Sequence, residues 1–283
     1  MLTFVIPLRH PANSPDWSAL KRRLSQTLRS IAAQDHERWR AIVVANRGAD
    51  LPALPDRCVV REVAFPPNAL FERGESELEK FRDACREDKG RRVLAGVEAA
   101  GARGHLMVVD DDDLVSRRLA GFVAEHAGEN GWYVENGYLW GDGGRLLYEY
   151  ADFSSFCGTS HIVRADLYGV SVSDGVPPDE ARVRRLFGSH IYLREHLAAC
   201  GRPLAPLPFA GAVYRIGHAG AHSRSRGLLR EVFLRREVLR RPLEGIRRLS
   251  RLRVLTPALR REFFGAGGAQ RAIAQSAWSE RAS

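Results

Sequence analysis

Residues 105–116 read HLMVVDDDDLVS, four consecutive aspartates between two apolar runs. Carboxylates set this close repel one another unless a cation offsets them, and hard divalent ions such as Mn²⁺ or Mg²⁺ prefer carboxylate oxygens. Asp110 and Asp112 are the candidate ligands for a metal or a nucleotide. The plainer reading is a solvated turn, or a helix N-cap at Asp112 or Asp113. That accounts for one or two of the four and leaves the clustering unexplained.

The elements around the run explain how it would be held. LTFVIPL at 2–8 is a β-rich run closed by proline, and in 17–34 the residues Leu20, Leu24, Leu28 and Ile31 form one face of a helix. AIVVA at 41–45 is a second apolar run, ending at the turn-like NRGAD. Strand, helix, strand is the unit of a parallel sheet. A polar stretch from 66 to 88 leads to a helix predicted at 90–100, and then to LMVV at 106–109. This alternation predicts an open α/β sheet, in which ligands bind outside the carboxyl ends of the strands, where the aspartates stand. Beyond 130, WYVENGYLW, RLLYEY and HIVRA read as antiparallel strands. Residues 181–199 read as helical, 204–215 as extended, and 224–255 as arginine-rich with apolar residues at helical spacing.

The chain of 283 residues is 45% hydrophobic and 27% charged, ordinary for a folded protein, and no apolar run approaches the length that crosses a bilayer. The expected location is cytoplasmic. Cys58, Cys85, Cys157 and Cys200 stand far apart without CxxC spacing, which argues against a zinc site or a disulfide framework. The net charge of +9 is carried almost wholly by arginine and implies an anionic partner.

The succession FVIPLRH, TLRSIAAQ, RAIVVANRGAD and GVEAAGARGHLMVVDDDDLV resembles the nucleotide-sugar-binding half of family 2 glycosyltransferases of the GT-A fold. FCGTSHIVRADL and GSHIYLREHLAACGRPLAPLPFAGAVYRIGHAGAHS resemble the acceptor half. The likeness covers about residues 2–225. It implies a Rossmann-like mixed sheet flanked by helices, with residues 1–115 binding a nucleoside diphosphate sugar, a UDP-sugar by expectation. Residues 116–223 would bind the acceptor, a cell-surface glycan or lipid-linked hydroxyl, and 224–283 would form a basic helical extension. The implied reaction is metal-dependent and inverting.

By the same resemblance Asp110–Asp112 is the DxD motif, Asp110 and Asp111 lying at the nucleotide and Asp112 on the metal. Pro7 closes the first strand beside the donor. His218, in the glycine-rich loop with His222, completes the metal or diphosphate site. The chain departs from the family pattern twice: Asn46 follows Ala45 where an acidic residue contacts the base, and Ser189-His190 stands where Glu-Asp begins the acceptor-side helix. Asn46 retains a carbonyl acceptor for a base N–H. His190 has the pKa range of a general base, and Asp179, with Asp174 and Glu180 in the same loop, competes for that role. Arg9, Lys89, Arg91 and Arg92 can meet phosphate oxygens. Trp132, Tyr133, Tyr138 and Trp140 read as sugar-stacking or as core residues.

Residues 228–255 combine an apolar stripe with an arginine-dense face, the recipe for lying on an anionic membrane on the inner face of the plasma membrane. Packing on the domain or on a second copy of the chain is the alternative. The competing class is a non-catalytic membrane- or nucleic-acid-binding protein acting through this tail. No nucleic-acid motif appears, and the aspartates would repel phosphate, so nucleic acid is not an expected partner.

Overall fold

Leu2–Pro7 (β1) is buried along its whole length, as expected of a strand covered by helices on both faces. It lies inside a seven-stranded sheet in the computed structural model, which describes residues 1–70, 78–169, 179–217 and 247–265. Parallel neighbours of β1 are Trp39–Asn46 (β2) and His105–Val108 (β4), and Cys58–Val63 (β3) extends the sheet beyond β2. On the far side of β4 the antiparallel His161–Arg164 (β9) is followed by Gly131–Tyr133 (β6) and Ala205–Pro206 (β10). The order is β10-β6-β9-β4-β1-β2-β3.

The alternation of β1 decides what covers each face. Leu2, Phe4 and Ile6 meet Leu20, Leu24, Leu28 and Ile31 of Trp17–Ala32 (α1), together with Leu119 and Val123 of Leu119–Glu125 (α3). Val5 of β1 points the other way, and with Ile42 and Val44 it packs on Val93, Ala95 and Val97 of Leu78–Ala100 (α2). Gly96 allows this approach, since a Cβ there would lie 2.3 Å from Val5 Cγ1. Leu193 and Leu197 of His190–Ala199 (α5) complete the layer. The expected mixed sheet flanked by helices is the architecture found.

Helix α2 begins well before the predicted residue 90. Its first half has few large apolar residues but carries ion pairs one turn apart, Arg82–Glu79, Arg86–Asp83, Arg91–Glu87 and Arg92–Asp88. The stretch expected to be helical at 181–199 is broken. Glu180–Arg182 (α4) runs into a π turn at Val183–Phe187, and Gly188 and Ser189 separate it from α5.

A second sheet has the order β12-β8-β7-β11-β5, formed by Leu252–Val254 (β12), Leu146–Ala151 (β8), Asn136–Gly141 (β7), Ala212–Ile216 (β11) and Leu114–Val115 (β5). Here one expectation is corrected, because Leu252–Val254 is a strand and not part of a basic helix. It pairs with β8, and Arg253 bonds Glu149 at 2.7 Å. Pro257–Phe263 (α6) follows, its Phe263 and Phe264 packing edge-on to Tyr138 and Trp140. Glu262 also accepts hydrogen bonds from Ser116 and Arg118. This end of the extension is therefore built onto the second sheet. Most of the arginine-rich segment, residues 224–246, lies outside the described residues, as do 266–283. Among the described residues no helix is long and apolar enough to cross a membrane.

Candidate functional site

The four aspartates are the turn by which the chain leaves one sheet for the other. β4 ends at Val108, Val109 N–H donates to the Val5 carbonyl, and β5 begins at Leu114 in the second sheet. A hydroxyl bridge shapes the turn: Thr159 Oγ1 accepts from Asp110 N–H at 2.9 Å and donates to Asp113 Oδ2 at 2.6 Å.

The protein supplies its own positive charge to this turn. Lys89 Nζ lies 2.5 Å from Asp110 Oδ1, and Arg9 lies 3.9 Å from Asp111. Arg215, 1% exposed, donates from Nε to the Asp112 carbonyl and from its backbone N–H to Asp113 Oδ1, while its guanidinium also pairs with Asp142 at 3.0 Å. Repulsion among the carboxylates therefore does not by itself call for a metal.

The four positions are not equivalent. Asp113 is fully buried, bonded by Thr159, Cys157 and Arg215; burial, followed by the charges of Asp112 and Asp110, lifts its pKa well above the carboxylate range. It is a structural residue. Burial also lifts Asp111, to about 6, against the pull of Arg9. Asp110 and Asp112 are partly exposed and face a cavity of about 230 Å³ at the carboxyl ends of β1 and β4.

Of the residues expected at the donor, the cavity gathers Pro7, Arg9, Lys89, Arg92, Asp110 and Asp111, together with Asp112. Arg92 is largely committed elsewhere: 1% exposed, it bonds Asp88 through Nε and Nη2 and Asn46 through Nη1. Asn46 does not line the cavity. Its Oδ1 accepts from Arg92 and its Nδ2 donates to the Phe65 carbonyl, so it braces Arg92 from behind. Sequence reasoning missed Asn13, Asn68, Cys85, Arg86, Asp88 and Tyr214 on the cavity wall. Asn13 and Asn68 clasp each other through two side chain to backbone bonds of 2.9 and 2.7 Å, a contact across 55 residues with no local signal.

A smaller cavity of about 20 Å³ adjoins the first, sharing Lys89 and Gly188, and is lined by His161 and His190. This is room for about one water. The Nε2 atoms of both histidines are buried and make no hydrogen bond among the described residues. His190 is held by a hydrogen bond with the Ser155 backbone. Burial first, then the positive charge of Lys89, lowers its pKa to about 4. Burial, His190 and Arg194 lower His161 to about 3. Both rings are neutral at pH 7. His161 went unremarked in the sequence because nothing in HIVRA separates it from an ordinary strand residue.

Asp179 is not at either cavity. It is exposed and caps α4, accepting from Arg182 N–H at 2.7 Å, and Glu180 faces Arg91 at 3.8 Å. Asp174, His218 and His222 lie outside the described residues. The aromatic candidates are largely core: Trp132 packs on Phe122 and His105, and Trp140 lies under Arg215.

Among the described residues no three metal-ligating side chains converge. Asp110 and Asp112 nevertheless suit a hard divalent cation that takes its remaining ligands from phosphate oxygens and water, the usual arrangement for Mg²⁺ at a phosphate substrate.

No family model matches the chain, and no curated protein matches it. Among solved structures it is similar to S. aureus TarS: to the fragment 1–349 at 15% identity and a TM-score of 0.39, over 76% of this chain and 60% of that one. A second TarS structure gives 15% identity and a TM-score of 0.41, over 76% and 37% of the two chains. This chain thus spans less than two thirds of either.

Proposed function

We propose that the chain is a glycosyltransferase whose larger cavity binds the diphosphate of a nucleoside diphosphate sugar. The observation that carries this reading is the meeting of Arg9, Arg86 and Lys89 with Asp110 and Asp112 in one cleft at the carboxyl ends of parallel strands. Cations alone would suit any anion. Cations interleaved with partly exposed carboxylates suit an anion that arrives with a metal, Mn²⁺ or Mg²⁺, and Asp110 and Asp112 would hold it. When bound, such an ion acts as a Lewis acid on the leaving diphosphate.

The chain's own residues supply the rest. Arg9, Arg86 and Lys89 take up phosphate charge. The acceptor hydroxyl forms a bond to the anomeric carbon, the bond from that carbon to the phosphate oxygen breaks, and its electron pair leaves with the diphosphate. The hydroxyl proton passes, by way of one water in the smaller cavity, to His190 Nε2, which makes no hydrogen bond among the described residues and whose pKa of about 4 rises when the Lys89 charge is drawn to phosphate. Attack from the face opposite the diphosphate inverts the anomeric carbon. A UDP-sugar is the proposed donor and a cell-surface glycan or lipid-linked hydroxyl the acceptor, reached by a cytoplasmic protein whose arginine-rich segment lies on the anionic inner face of the membrane.

The test is a thermal-shift panel of UDP, GDP and dTDP, each with Mn²⁺, against the corresponding monophosphates. A rise in Tm with one diphosphate and a smaller one with its monophosphate is expected. No shift with any nucleotide counts against the reading.

A further inference from the structure

Lys89 occupies an unusual position for a residue expected simply to meet phosphate. It projects from the middle of α2, and its Nζ closes on Asp110 Oδ1 at 2.5 Å, with both side chains less than a third exposed. Gly158 packs against the pair. A Cβ at 158 would lie 2.8 Å from Asp110 Oδ2 and 2.9 Å from Lys89 Nζ, so the backbone at Gly158 lies directly against the closed ion pair. Asp110 is also one of only two carboxylates of the run suited to a metal, since Asp113 is sequestered and Asp111 is buried.

An ammonium and a divalent cation cannot comfortably share one carboxylate, because their mutual repulsion inside a half-buried cleft opposes double occupancy. Lys89 also has somewhere to go. Its four-carbon stem is flexible, and the adjoining cavity of about 230 Å³ is where a diphosphate would offer it a replacement anion.

We infer that Lys89 is a resident counter-ion which competes with the metal for Asp110 and is drawn off by the incoming diphosphate. Resting on the donor-site reading above, this couples the two ligands: metal alone meets an occupied carboxylate, whereas metal arriving with diphosphate finds Lys89 transferred to phosphate. Lys89 is then a positioning residue for the metal and a binding residue for the donor. Arg9 does not substitute for it, because its guanidinium is directed at Asp111 at 3.9 Å.

The experiment is calorimetric titration of Mn²⁺ alone, and of UDP with and without Mn²⁺, into the wild-type chain and the Lys89→Met and Lys89→Arg variants. Removing the ammonium is expected to tighten Mn²⁺ alone by about tenfold or more, while weakening UDP in the presence of Mn²⁺. Lys89→Arg, which keeps the charge, is expected to leave Mn²⁺ alone as weak as in wild type. Unchanged or weaker Mn²⁺ binding by Lys89→Met, or no Mn²⁺ binding by any form, overturns the inference. UDP binding that survives in those cases leaves the donor-site reading standing, whereas absence of binding by UDP, GDP and dTDP alike in every form sinks that reading as well. A measurement on the wild-type chain avoids the variants altogether. In crystals soaked with Mn²⁺ and located by anomalous scattering, Lys89 Nζ should stand beyond hydrogen-bond distance from Asp110, and an intact pair beside bound manganese would contradict the proposal.

Discussion

His161 and His190 bear on acid stability as well as on the site. A histidine held neutral in the fold has a folded-state pKa below its unfolded value of about 6.5. The unfolded chain then binds more protons as pH falls below that value, so the contribution to stability is full above pH 6.5 and is lost on acidification. For His161, lowered to about 3, the loss is spread over the whole interval between these values. Asp111, raised to about 6, acts in the opposite sense: its contribution is full below about 3.8 and is lost as pH rises through 6. Because the terms oppose, the informative quantity is a difference between variants. Relative to wild type, His161→Gln should gain about 2 kcal/mol between pH 8 and pH 5, read from urea denaturation at the two values. A difference that does not change with pH would mean that His161 is not held neutral. At the same scale, Thr159→Val removes the hydroxyl that bridges Asp110 and Asp113 and should cost about 2–3 kcal/mol. Thr159→Ser should recover most of it.

The elements that position the site meet at two close contacts. A Cβ on Gly90 of α2 would lie 2.6 Å from the Val183 carbonyl, and one on Gly188 would lie 2.0 Å from the Arg86 carbonyl. The π turn and α2 are thus in backbone contact, and Gly188 belongs to the walls of both cavities. Gly188→Ala should destabilise by ~1–3 kcal/mol through overpacking and weaken nucleotide binding in the same protein, measured by denaturation and titration in parallel. Full stability with full binding would show that the contact is looser than described. These elements were unevenly legible. Strands β1, β2 and β4 and helix α1 follow from unbroken apolar runs and a clear helical face. The early start of α2 was hidden because its first half is held by charge pairs and not by an apolar stripe. β12 was hidden because three residues of an arginine-rich segment gain strand character only by pairing with β8, a contact across more than a hundred residues.

At the scale of the molecule, the parallel strands β1 and β4 of the seven-stranded sheet present their carboxyl ends to one cleft, and the aspartate turn links that sheet to a second one that carries Tyr214 to the cleft wall. That Asp110, Asp112, Lys89 and Arg9 would share one cleft was legible because their types and order along the chain are informative. What opposes the aspartates' repulsion was not, since the reach of Lys89 and Arg215 to them is a property of the fold. The Asn13–Asn68 clasp and the pairing of His161 with His190 at one cavity depend on tertiary contacts in the same way. The proposed function stands or falls with a diphosphate site in this cleft built on Asp110 and Asp112. It is tested most directly by isothermal titration of UDP, GDP and dTDP, each with and without Mn²⁺, into wild type and Asp112→Ala. One nucleotide is expected to bind in a Mn²⁺-dependent manner, and Asp112→Ala to abolish that dependence while remaining folded. Absence of binding by every nucleotide, or Mn²⁺-dependent binding undiminished in Asp112→Ala, would contradict it.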